Sequence, residues 1–211
     1  MHSLTIRIPA IACAAGALLL LTGCFGRPGR VKPPAYSLEA GTSAVYIYDT
    51  NGDQLLSDLE LDSVPALRES LGKVDTNSDN QVSASEIDSR IQAWRDSKVA
   101  EMGVICRVTL DGIPIPDAVV QLEPEKFLGE NLHPASGTTT ADGQASVSMA
   151  GEHLADPQYP GVACGWYKIR VTCSTQEIPP NYNTSTTLGC EVAMDAHWVH
   201  KGEISVKLTS K

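Results

Sequence analysis

The chain has 211 residues, a hydrophobic content of 42% and a formal net charge of −9. That content suits globular domains rather than a disordered chain, and the length allows one or two small ones. The acidic balance argues against nucleic acid, whose phosphates need a basic surface.

The N-terminus reads as an export signal. Arg7 supplies a short positive region, and an apolar stretch runs from Ile8 to Leu21, interrupted by Pro9 and Gly16. This is too short to span a bilayer, which takes about 20 apolar residues, and it fits a secretory signal. It ends in Leu21-Thr22-Gly23-Cys24, which resembles the lipobox of bacterial lipoproteins. The resemblance implies cleavage after residue 23 and acylation of the Cys24 thiol, so that membrane lipid is the first partner. Phe25 stands where inner-membrane members of that family often carry Asp, which favours the outer membrane. Residues 24–35 are rich in Pro and Gly and read as a tether. Arg27, Arg30 and Lys32 could rest on anionic headgroups, at about 1 kcal/mol each.

Acidity is concentrated in residues 49–101, with 12 acidic and 5 basic side chains. Two twelve-residue segments there share one pattern. In the first, Asp49, Asn51 and Asp53 occupy positions 1, 3 and 5, Ser57 position 9 and Glu60 position 12. In the second, the same positions hold Asp75, Asn77, Asp79, Ser83 and Glu86. The carbonyls of Leu55 and Gln81 fall at position 7, and the apolar residues Leu56 and Val82 at position 8. Calcium takes six to eight oxygen ligands, and this spacing wraps short side chains around one ion. The segments resemble EF-hands, which implies bound Ca2+. They depart at position 6, where the usual Gly is replaced by Gln54 and Asn80. Asn tolerates a left-handed backbone better than Gln, so the second loop is expected to bind more tightly. Ser57-x-x-Glu60 and Ser83-x-x-Glu86 also read as capping boxes, which need no metal. Ala44–Tyr48, before the first loop, is β-branched and aromatic and reads as readily extended as helical. A short helix, a break near Ser63-Val64-Pro65 and a second short helix should connect the loops. Ile87, Ile91 and Trp94 mark one face of the helix leaving the second.

Beyond Lys98 the period changes to two. Strands are expected at Val104–Leu110, Ala118–Leu122, Ala145–Met149, Tyr167–Cys173, Leu188–Met194 and Ile204–Leu208, which suggests a β-sandwich. The run from Val108 to Val120 with Gly112, Pro114, Pro116 and Ala118, the run Gly137–Ala145, and Gly165-Trp166-Tyr167-Lys168-Ile169-Arg170-Val171 resemble carboxypeptidase regulatory-like (transthyretin-like) domains. Such domains are noncatalytic sandwiches that mediate contacts or spacing. Lipobox, compact EF-hand pair and sandwich together resemble surface or periplasmic lipoproteins of planctomycetes.

Cys13 would leave with the signal and Cys24 would take lipid. Cys106, Cys164, Cys173 and Cys190 remain, an even number suited to an oxidising compartment. The apolar-face placement of Cys106 and Cys173 favours Cys106–Cys173 with Cys164–Cys190; buried free thiols are the alternative. Asp195-x-His197-x-x-His200 lacks the helical spacing of a catalytic metal site, and no nucleophile motif stands out. The expectation is an α+β protein of two domains: a signal peptide at 1–23, a tether at 24–35, a helical calcium-binding pair at 36–99, and an all-β sandwich at 100–211. Its expected role is that of an envelope-anchored calcium-binding contact module, not an enzyme, facing the periplasm or the surface, with a protein or glycan partner on the sandwich. The alternative is a calcium-stiffened spacer without a specific partner.

Overall fold

The computed structural model describes residues 32–210; the expected signal segment 1–23, Cys24 and the tether as far as residue 31 lie outside the described residues. The helical part comes first. α1 (Ala40–Tyr48) leads into the first acidic loop and α2 (Asp58–Leu61) leaves it. α3 (Pro65–Glu69) and α4 (Leu71–Val74) cross to the second loop, and α5 (Ala84–Ser97) leaves that. Inside the loops, β1 (Leu55–Leu56) and β2 (Val82–Ser83) pair antiparallel, with Leu56 opposite Val82.

In α1 the structure closes a choice the sequence leaves open. β-branched residues weaken a helix by only tenths of a kcal/mol, and packing against α5 outweighs that. Ala40, Gly41 and Ala44 are buried. Gly41 lies so close to α5 that an added Cβ would stand 2.1 Å from the Ala84 carbonyl oxygen. Its N–H donates to Asp88 Oδ1 at 2.9 Å. In α5 the stripe of Ile87, Ile91 and Trp94 is buried as its spacing requires.

After residue 100 the chain is mostly strand: β3 (Glu101–Met102), β4 (Val104–Leu110), β5 (Ile113–Pro114), β6 (Ala118–Pro124), β7 (Ala135–Thr138), β8 (Gln144–Met149), β9 (Val162–Ala163), β10 (Gly165–Cys173), β11 (Gly189–Val192) and β12 (Ile204–Leu208). One large sheet runs in the order β11-β10-β6-β7-β8-β4-β12, with β5 appended to β4; β3 and β9 pair separately. Neighbours are antiparallel except β4 and β12, which run parallel with Val206 opposite Val108. Residues 144–147 of β8 pair with β4, and residues 148–149 pair with β7. One strand therefore joins both halves of the sheet. Alternate residues of both halves, among them Val104, Cys106 and Val108 of β4 and Ala118, Val120 and Leu122 of β6, are buried. The fold is α+β, with more sheet than helix.

Helices and sheet share one hydrophobic core. An aromatic chain crosses between them: Tyr36 to Trp94 at 5.5 Å, Trp94 to Trp166 at 4.4 Å, Trp166 to Phe127 at 5.9 Å, and Phe127 to Tyr48 at 6.4 Å between centroids. Buried indoles need a partner for their N–H. Trp166 Nε1 donates to Ser70 Oγ and Trp94 Nε1 to Glu191 Oε1, both at 2.8 Å. α3 lies directly on β11, where an added Cβ on Gly189 would stand 2.2 Å from Ala66 N. The described residues form one compact unit, so the change at residues 99–100 is one of secondary structure, with a core common to both sides. Among the described residues no helix is long and apolar enough to cross a membrane.

An ion cluster centred on buried Arg90 and Glu191, with Asp195 at its exposed end, completes the junction. Arg90 of α5 donates from Nε to Glu191 Oε1 at 2.6 Å and from both terminal nitrogens to Asp195 at 2.7 and 2.9 Å. Glu191 is 4% exposed. Losing the Glu191 side chain leaves Arg90 Nε and Trp94 Nε1 buried without an acceptor, although Asp195 still pairs with Arg90. Glu191→Ala is expected to destabilise the protein by about 2 kcal/mol in urea unfolding; a change within a few tenths would rule out this role.

Glu125, between β6 and a 3-10 turn at Lys126–Leu128, is nearly inaccessible at 2% exposure. Tyr48 Oη donates to its Oε2 at 3.1 Å and Lys168 Nζ lies 3.9 Å away, while Oε1 has no hydrogen-bond partner among the described residues. Burial pushes its carboxyl up from 4.5 to about 7, against the opposing pull of Lys168 and Tyr48. A folded-state value above the unfolded one means the folded protein binds more protons between the two. The stability that Glu125 contributes should therefore be full below pH 4.5 and be lost as the pH rises through about 7. Glu125→Gln should flatten that fall in melts across the same range; an unchanged slope would assign it to another group.

Candidate metal centre

The two acidic loops repeat one hydrogen-bond pattern. At position 1, Asp49 Oδ1 accepts from Gly52 N at 2.7 Å and Oδ2 from Gln54 N at 2.9 Å. Asp75 does the same with Ser78 N at 2.6 Å and Asn80 N at 2.9 Å. At position 3, Asn51 Oδ1 accepts from Asp53 N at 2.8 Å, and Asn77 Oδ1 from Asp79 N at 3.0 Å. At position 5, Asp53 Oδ1 accepts from Leu55 N at 2.9 Å, and Asp79 Oδ1 from Gln81 N at 2.8 Å. Short side chains bonding two, three and five residues ahead wind each segment into tight turns.

Position 12 closes the loop. Glu60 Oε1 accepts from Thr50 N at 2.8 Å, and its Oε2 from Ser57 N at 2.9 Å. Glu86 bridges Thr76 N and Ser83 N, each at 2.9 Å. Each glutamate thus spans the start of its loop and the start of the helix that follows. Ser57 and Ser83 form the expected capping boxes with them. The amides of Ser57 and Thr50 hold the Glu60 carboxyl down at about 2. Burial pushes Glu86 up, yet the amides and hydroxyls of Ser83 and Thr76 hold it below the ordinary carboxylate value. Both stay ionised at neutral pH.

The backbone departs from sequence reasoning at position 4. Gln54 and Asn80 at position 6 are left-handed, with φ of 67° and 62°. Position 4 is left-handed as well, and there the first loop has Gly52 (φ 79°) and the second Ser78 (φ 63°). A left-handed non-glycine costs about 1 kcal/mol, less for Asn. The advantage expected for the second loop at position 6 is therefore offset at position 4. The serine looks ordinary in sequence; its conformation comes from the turn closed on Asp75.

The donor set consists of oxygens, as calcium requires: carboxylates of Asp49, Asp53 and Glu60, the amide of Asn51, the hydroxyl of Ser57 and the carbonyl of Leu55, with Asp75, Asn77, Asp79, Gln81, Ser83 and Glu86 equivalent. The side-chain oxygens bond chiefly to loop amides, and among the described residues no three His, Cys, Asp or Glu side chains converge as a metal-ligating group. The residues fit the ion in donor chemistry.

Other candidates separate. Asp195 is held by Arg90, whereas His197 Nε2 lies 3.3 Å from Glu69. The cysteines correct the expected pairing of Cys106–Cys173 with Cys164–Cys190: all four are free thiols. Cys106 is buried on β4, while the Cys173 thiol is turned to Thr175 Oγ1 at 3.2 Å. Cys164 Sγ donates to Val99 O at 3.6 Å. Sharing an apolar strand face did not bring two of these thiols together.

Gln54→Gly and Ser78→Gly should each raise stability by about 0.5 to 1 kcal/mol by relieving the left-handed backbone. Denaturant unfolding checks this, and a loss at both positions would contradict the strain argument. No protein-family model matches the chain, and neither a curated protein nor a solved structure is significantly similar to it.

Proposed function

We propose that this chain is a membrane-anchored extracytoplasmic protein in which an EF-hand-like pair binds Ca2+ beside a noncatalytic β-sandwich that contacts a partner. One observation carries the metal reading: two segments 26 residues apart repeat the same internal hydrogen bonds and are joined at position 8 by the Leu56–Val82 bridge. Capping boxes alone account for positions 9 and 12. They leave unexplained why Asp, Asn and Asp recur at positions 1, 3 and 5 of both loops. Calcium at each loop would be held by Asp49, Asn51, Asp53, Leu55, Ser57 and Glu60, and by Asp75, Asn77, Asp79, Gln81, Ser83 and Glu86. The ion would neutralise these crowded carboxylates and cross-link the start of each loop to the helix that follows.

The anchor rests on the sequence of residues 1–35. Cys24 would carry the lipid, and the protein would face the periplasm or the cell surface. The planctomycete-type combination of lipobox, calcium loops and carboxypeptidase regulatory-like sandwich supports the same reading. The second reading is a calcium-stiffened envelope spacer. The common core and the buried Arg90–Glu191 pair favour it, since they make helices and sheet one stiff body.

Melting with calcium and with chelator tests the metal. At free calcium about 100-fold above Kd, the stability gain should be about 2.7 kcal/mol for each loop that binds. Asp75→Ala combined with Glu86→Ala should remove the share of the second loop. Identical melting in millimolar calcium and in chelator, for the unaltered chain and the variant alike, would overturn the metal reading.

A further inference from the structure

β11 and β12 are the two ends of the sheet path, and no strand among the described residues pairs with their outer edges. Both border one groove of about 660 Å3. Its lining includes residues 204–207 of β12 without a gap, and residues 187–190 running into β11. Alternate side chains of a strand point to opposite faces. A consecutive run can therefore border one groove only along the backbone edge. Pro65, Arg68 and Glu69 of α3 form the third wall. An open edge presents a row of N–H and C=O groups that templates an extended chain. Leu208 O accepts from Asp111 N at 2.9 Å on the β4 side, so by alternation Ser205 and Lys207 turn their N–H and C=O to the open edge.

Charge selects what enters. Two of the three carboxylates of the groove are matched by guanidinium groups, Asp62 with Arg68 at 3.1 Å and Glu203 with Arg107 at 2.7 Å, while Glu69 lies 3.3 Å from the His197 imidazole. Lys201 and Lys207 also line the groove, are exposed, and make no ion pair among the described residues. In a chain of net charge −9 these are two uncommitted cations beside an open strand edge. Lysine on an edge repels a neutral or basic strand, which narrows the choice to an acidic one.

We propose that the groove between β11 and β12 binds an extended acidic segment of a partner protein. The segment adds as a strand along β12 and places carboxylates at Lys201 and Lys207. This gives the contact module its partner chemistry and rests on that part of the proposed function, not on the metal.

The test is fluorescence anisotropy on the full chain with three labelled peptides. One alternates glutamate and valine, one alternates lysine and valine, and one is the acidic peptide N-methylated along its backbone. The acidic peptide should bind saturably and the lysine peptide about tenfold or more weakly. N-methylation should abolish binding, because it removes the ladder donors. Lys201→Glu with Lys207→Glu should weaken the acidic peptide about tenfold. If that variant fails to fold, the N-methylated peptide on the unaltered chain decides. Absence of saturable binding up to roughly 1 mM, equal affinity for the lysine peptide, or binding that survives N-methylation would overturn the proposal. Calcium-dependent melting is followed on the same samples. Peptide failure with an intact calcium response removes the groove alone, and the reverse removes only the metal.

Discussion

A buried carboxyl stays ionised at little cost only where its charge and lone pairs are matched, and Glu191 imposes that condition on the junction of helices and sheet. Its Oε1 receives both Arg90 Nε and Trp94 Nε1, which project from successive turns of α5. Its own carbonyl receives Trp198 Nε1 at 2.8 Å. α5 can neither slide nor rotate on β11 without leaving one of these groups unpaired. Because Glu86, the last residue of the second loop, lies in the first turn of α5, the constraint fixes where that loop sits on the sheet. The Leu56–Val82 bridge then fixes the first loop to the second. α3, the middle of the segment between the loops, rests on the same strand β11 through the Gly189 contact.

This arrangement explains why so small a helical part can be ordered. Helices of four and five residues have almost no stability of their own. α2, α3 and α4 are held instead by what they bury: Leu61 from the first, Ala66 and Leu67 from the second, Val74 from the third. α1 draws on the same source, with Tyr48 placed against Phe127 and its hydroxyl on Glu125.

Local features were legible in the sequence, and long-range ones were not. The loop pattern could be read because ligand-type residues at fixed offsets act within twelve residues. The strands at 104–110, 118–124 and 204–208 could be read because alternation records a buried face. Alternation does not say which strand is the neighbour. Nothing at Ile204, Val206 or Leu208 indicates parallel pairing with β4, which is almost a hundred residues away. The common core was hidden for the same reason. Trp94 looks like the end of a helical stripe and Trp166 like the start of a strand, and only the fold shows that they meet. Ser78 needed the turn geometry to stand out, and Glu191 needed Arg90 opposite it.

The free thiols carry a consequence of their own. The thiolate is the form that exchanges, alkylates and oxidises. Burial pushes Cys106 and Cys164 up to about 12 and Cys190 well above its ordinary value. Cys173 is partly exposed, and although burial raises it, its bonds with Thr175 bring it below the ordinary value. The chain therefore has a built-in order of chemical reactivity. One sulfur at the end of β10 is open to reagent in the native state. The other three, in β4, in the bend between β9 and β10, and in β11, answer only when the core breathes, so their labelling rates become a clock for how often the sheet opens and where.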